Sequence, residues 1–193
     1  LVIVTYKFYL DVAGLDLTAL NIFRYLLLCL NLWLAYTLGR CLSGSREAGV
    51  LAALLMCYHP ALSTLYCSSG TLFDILCFLF FYAAFLGYAR IRASGRFPNL
   101  AEGAGIHLLF ILALDSKEMA VTLPLLLALY ELVYHGPALR RTAGDFFRAM
   151  VLPLITGAGA AAYAFGRVLY KEGIASSGDY RGVYTAGEYV RQA

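Results

Sequence analysis

The sequence predicts an all-α polytopic membrane protein, a bundle of about six transmembrane segments, and three observations lead there. Hydrophobic residues make up 61% of the 193 residues and charged residues only 14%, against roughly 45–50% and 25% in soluble domains. Mean hydropathy is +0.72. The apolar residues gather into long runs bounded by charge, Gly and Pro, and eight arginines fall in alternate gaps between those runs.

The first run extends from about Leu20 to Leu38, with Arg24 near its start. The second, Ala48 to Tyr58, stops at His59-Pro60, where proline cannot continue a helix and pushes the residue before it out of the α region. Thr71 to Tyr88 is the third, opened by Asp74, and Gly103 to Leu114 the fourth. The fifth covers Met119 to Tyr134 and the sixth Phe146 to Tyr170. Pro124 and Pro153 are tolerated in membrane helices, and Gly157, Gly159 and the alanines around them give the sixth a small face for close packing. Only three runs reach or approach the ~20 residues of a spanning helix. The short second and fourth runs imply tilt, local thinning or a wet hollow on one face.

Arg40 and Arg46 lie between runs one and two, Arg90, Arg92 and Arg96 between three and four, and Arg140, Arg141 and Arg148 between five and six. The positive-inside rule makes those loops cytoplasmic. His59 to Gly70 and Asp115 to Glu118 then lie outside, with both chain ends. Arg24, Asp74 and Arg167 fall at that same outer level, so an extracytoplasmic cavity lined by these three with His59, Asp115, Lys117 and Glu118 is expected, because ionisable groups are costly at the bilayer centre. Arg24 and Asp74 at matched depth read as a structural ion pair. Residues 1–170 form the transmembrane domain in this reading, and 171–193 an extracytoplasmic loop or the start of a further element. The chain begins at Leu1 without a signal-peptide pattern and reads as a piece of a longer protein.

Asp115-Ser116-Lys117-Glu118 has two readings. It is a phosphate, sugar or cation site, since lysine is a point charge suited to phosphate and carboxylates hold cations or sugar hydroxyls. Alternatively it is a polar turn whose Glu118 favours the N-terminal dipole of the next helix. His59 is either a helix stop or a ligand. The five cysteines show no CxxC or zinc spacing, no phosphate-binding loop or HExxH occurs, and a net charge of +3 gives no reason to invoke nucleic acid.

Ser116-Lys117-Glu118-Met119-Ala120-Val121-Thr122-Leu123-Pro124 resembles the Ser-Lys-Glu-x-Ala-x-Thr-Leu-Pro segment of GT-C type glycosyltransferases, in the protein mannosyltransferase-like group that includes transmembrane proteins with tetratricopeptide repeats. His59-Pro60, then Ser69-Gly70 and Asp74-Ile75-Leu76, resembles a second block of that group, and the likeness spans most of residues 6–135. Two positions depart: the block's glutamate is replaced near Thr64, and its arginine after Ser-Gly is Thr71. The resemblance implies a GT-C fold, a polyprenyl-phosphate hexose as donor, and a protein or glycan hydroxyl as acceptor. Transfer would occur on the extracytoplasmic side of a bacterial inner membrane or of the endoplasmic reticulum. It puts Lys117 at the donor phosphate, with Glu118, Asp115, His59 and, from its depth, Arg167 around the phosphate, the sugar or a divalent cation. The catalytic acid of the group belongs to a first outer loop expected upstream of Leu1, so the base is not assigned. A catalytically degenerate scaffold and, less well, a transporter remain as alternatives.

Overall fold

The computed structural model describes Lys7, Leu65 and residues 17–59, 71–136 and 143–175, with side chains from Thr18 to Gly166 within those ranges besides Lys7 and Leu65. Every regular element among the described residues is helical. They are α1 (Leu17–Ser43), α2 (Arg46–Tyr58), α3 (Leu72–Ala93), α4 (Leu100–Ser116), a 3-10 turn (Glu118–Thr122), α5 (Leu123–Tyr134) and α6 (Ala143–Ala175). The six apolar runs therefore each become a helix. Three of these, α1, α3 and the Ala143–Gly166 part of α6, are long and apolar enough to cross a membrane.

Local chemistry sets the boundaries. Ser45 caps α2, its hydroxyl accepting the Ala48 N–H at 3.1 Å. Asn99 and Glu102 form a reciprocal capping box at the start of α4. Helices α1 and α3 run into Gly44 and Gly95 at φ 73° and 78°, left-handed positions that end a helix at no steric cost to glycine. The expected start of run five at Met119 is corrected: 118–122 wind as a 3-10 turn, and the α-helix opens at Leu123 with Pro124 in its first turn, where the missing N–H is harmless.

Helix α3 is the hub. It packs on α1, α4 and α5, while α2 packs on α1. Half of its apolar window is buried, against 22% for α1 and 28% for α6. Leu72, Ile75 and Leu76 pack with Leu27, Leu28 and Leu65 at one end of α3. Toward the other end Phe85 and Tyr88 meet the Tyr130 ring edge-on at 5.8 and 6.0 Å. Ile22, Leu26, Leu30 and Trp33 stay exposed along α1. An apolar stripe of that length calls for lipid or further protein against it.

By its internal contacts the chain divides into Leu1–Gly157 and Ala158–Ala193. All sites below lie in the first unit. The second contributes the C-terminal half of α6 to the described residues.

Candidate functional site

Alanines and leucines carry α4 down to Asp115-Ser116, where the helix ends and Lys117 takes an extended conformation (φ −158°, ψ 141°). That one extended residue turns the chain into the 3-10 segment that packs on α3 and α4. It also directs the Lys117 ammonium to the first turn of α3, where Nζ donates to Asp74 Oδ1. The pair is half-buried, with side-chain exposures of 35% for Lys117 and 20% for Asp74. The Cys77 thiol, one turn along α3, lies 3.8 Å from the Lys117 carbonyl oxygen. Ser116 is buried and its hydroxyl donates to the Leu112 carbonyl at 2.8 Å. It closes the helix and is not presented outward.

Asp115 and Glu118 flank this corner and are exposed. His59 is also exposed but caps the C-terminus of α2, its N–H donating to the Leu55 carbonyl at 2.9 Å, and so it is delivered by the α1–α2 pair. Arg167 stands in α6, its side chain outside the described residues. Among the described residues no group of three or more His, Cys, Asp and Glu gathers as a metal-binding set.

The expected Arg24–Asp74 ion pair is replaced. Asp74 is held by Lys117, and Arg24 is buried within α1, its guanidinium 5.1 Å from the Tyr25 ring centre. A cation brought in by the α4 turn reaches the α3 carboxylate instead. Nearby, the fully buried Asn31 of α1 donates to the Ile75 carbonyl at 2.9 Å, tying α1 to α3 one residue past Asp74.

A second polar cluster, unforeseen from the sequence, occupies the opposite end of α3. Arg92, expected in a loop, is in the last turn of α3 and only 5% exposed. It meets the wholly buried Glu131 of α5 through two bonds, Nε to Oε1 at 2.6 Å and Nη2 to Oε2 at 2.9 Å. Tyr88 donates to the same Oε1 at 2.7 Å. The free face of the guanidinium stacks on Phe97 at 4.1 Å, and Nη1 donates to the Arg96 carbonyl at 3.1 Å. Every polar atom of Glu131 and its guanidinium partner is thus engaged, as a buried charge requires. One signal was available: a glutamate inside Leu-Ala-Leu-Tyr-Glu-Leu-Val-Tyr is an ionisable group in an apolar run and demands a partner at its own depth.

Just beyond α3, Arg96 forks onto Glu102 at 2.6 and 2.7 Å. That guanidinium and the Asn99 backbone N–H hold the Glu102 carboxyl down to about 2.

No protein-family model, curated protein or solved structure matches the chain.

Proposed function

We propose that the chain is the membrane core of a GT-C type transferase that moves a hexose from a polyprenyl-phosphate donor to an acceptor hydroxyl at the extracytoplasmic face. The observation that supports it most is the meeting of Lys117 with Asp74. These residues belong to the two sequence blocks that carry the resemblance, and they are 43 positions apart. A turn serving only to link α4 to α5 has no need to bring its cation onto α3.

In this reading the donor phosphate approaches the α4 turn and takes Lys117 as its counter-ion. Glu118 and Asp115, exposed beside it, contact the sugar hydroxyls or a bridging cation, and His59 stands at the C-terminal end of α2. An acidic base removes the acceptor hydroxyl proton, the oxygen attacks the anomeric carbon, and the bond from that carbon to the phosphate oxygen breaks. The sugar centre inverts. Lys117 stabilises the charge growing on the departing lipid phosphate, the electrostatic contribution that matters most when charge develops in a poorly solvated site.

Asp74 sets the resting state. A part-exposed ion pair is worth about 0–1 kcal/mol, so the donor's phosphodiester anion can displace it, and the polyprenyl phosphate that leaves, a dianion, holds Lys117 more strongly. The same pairing suits the scaffold alternative, in which Lys117 is a permanent tie between α3 and α4. Binding of a short polyprenyl phosphate to the full-length protein separates the two readings. Saturable binding is expected for the wild type, weakened at least tenfold in Lys117→Ala and preserved or tightened in Asp74→Asn. Unaltered affinity in Lys117→Ala would remove the transferase assignment from this corner.

A further inference from the structure

The N-terminal half of α4 and the first turns of α6 face one another across a groove of about 430 Å³. Gly103, Ala104 and His107 line it from α4, and Arg148, Val151 and Ile155 from α6. Spacings of four and three residues put His107 on the face of Gly103 and Ala104, and spacings of three, four and seven put Arg148, Val151 and Ile155 on one face of α6. Small residues make the hollow: a side chain at Gly103 would come within 3.9 Å of Leu152 Cδ1, so the space is the volume a larger residue would take.

Polarity along the groove is graded. Arg148 comes first along α6, is exposed, and takes part in no ion pair among the described residues. Its neighbours in charge differ: Arg92 is neutralised by Glu131 and Arg96 by Glu102. Asp145, one turn earlier on α6, has an interaction of its own. Farther along the two helices the lining is apolar, with Val151, Ile155 and Ala104 exposed, and His107 between them keeps its Nδ1 buried away from the opening. From the start of α4 at Leu100 to His107 is about 10 Å of helix rise.

We propose that this groove seats an anionic glycerophospholipid of the arginine-bearing leaflet, its phosphate on Arg148 and an acyl chain along Val151 and Ile155. Charge complementarity selects the occupant: one uncompensated cation at the mouth of an apolar trough matches a lipid with a negative headgroup, and the anionic leaflet is the one that positive loops face. The seat lies at the opposite end of α4 from Lys117, so it does not depend on the sugar-transfer reading.

The test uses the full-length protein in detergent, titrated with phosphatidylglycerol and with phosphatidylcholine of identical chains, reading the thermal unfolding midpoint. Phosphatidylglycerol is expected to raise the midpoint by several degrees more than phosphatidylcholine. Arg148→Gln abolishes that difference, Gly103→Leu removes the response to both lipids, and Lys117→Ala leaves it intact. Arg148 is exposed, so its replacement tests the headgroup contact without touching the core. The proposal is overturned by equal shifts for the two lipids, by an undiminished preference in Arg148→Gln, or by glycerol phosphate alone reproducing the shift. A groove filled by protein would show the first of these.

Discussion

Glu131 is the residue on which the packing of α5 against α3 depends most. It is wholly buried, and Arg92 and Tyr88 spend their polar atoms on it. Truncating it strands a guanidinium in an apolar interior, which costs about 3–5 kcal/mol, whereas replacing both charges by apolar groups of similar volume is much milder. Glu131→Ala should therefore lower the unfolding midpoint sharply, and Glu131→Leu with Arg92→Met should recover most of the loss. A double variant as unstable as the single one would mean that the pair is not what holds this end. The sequence displayed Glu131 and Arg92 plainly but gave no measure of which arginine descends into the helix. Arg90 and Arg96, two and four residues away, remain exposed. Lys117 was legible for a different reason: a charge run interrupting apolar helices must sit at a surface or a cavity, and only its pairing with Asp74, which the sequence had matched to Arg24, needed three dimensions.

Helices were legible from apolar runs, and their ends less so, because the last turns are polar. Run three was expected to stop at Tyr88 and continues to Ala93, since Arg90 and Arg92 are good helix formers near the C-terminal dipole, and only Gly95 forces the stop. Packing of α1 on α2 rests on a feature that periodicity does not reveal. At Gly49 an added Cβ would stand 2.7 Å from the Tyr36 carbonyl oxygen and 3.0 Å from its ring, so the two backbones are in close approach. Gly49→Ala should push them apart and cost about 1–3 kcal/mol, as overpacking does. Gly105 in α4 is the control, with nothing within 4 Å of its would-be side chain. Gly105→Ala should be neutral or stabilising by up to about 1 kcal/mol, because alanine is the better helix former. Thermal midpoints of the two variants in one detergent give the comparison; equal effects would mean that the α1–α2 contact does not need its glycine.

For the first unit as a whole, the two ends of the helices differ in kind. Where α1 ends and α2 begins, where α3 ends and α4 begins, and where α6 begins, the basic residues are Arg40, Arg46, Arg90, Arg92, Arg96 and Arg148, set among the acidic Glu47, Glu102 and Asp145 of the first turns. The other end presents His59, Asp74, Asp115, Lys117 and Glu118. This alternation is what the positive-inside rule reads as orientation, and the proposed donor corner depends on it, because an extracytoplasmic transferase cannot keep Lys117 on the arginine side. Two cysteines test the sign directly. Cys41 is in the last turn of α1, at the arginine-bearing end, and Cys67 falls between α2 and α3 in the sequence, outside the described residues. With Cys29, Cys57 and Cys77 replaced by serine, a membrane-impermeant maleimide applied to sealed cells should label Cys67 and spare Cys41 until the membrane is opened. Labelling of Cys41 alone would invert the bundle. It would move the Lys117–Asp74 corner to the cytoplasm and place the Arg148 groove in the outer leaflet, so the donor proposal would fall, while the affinity of the groove for anionic lipid, a property of its own residues, would stand.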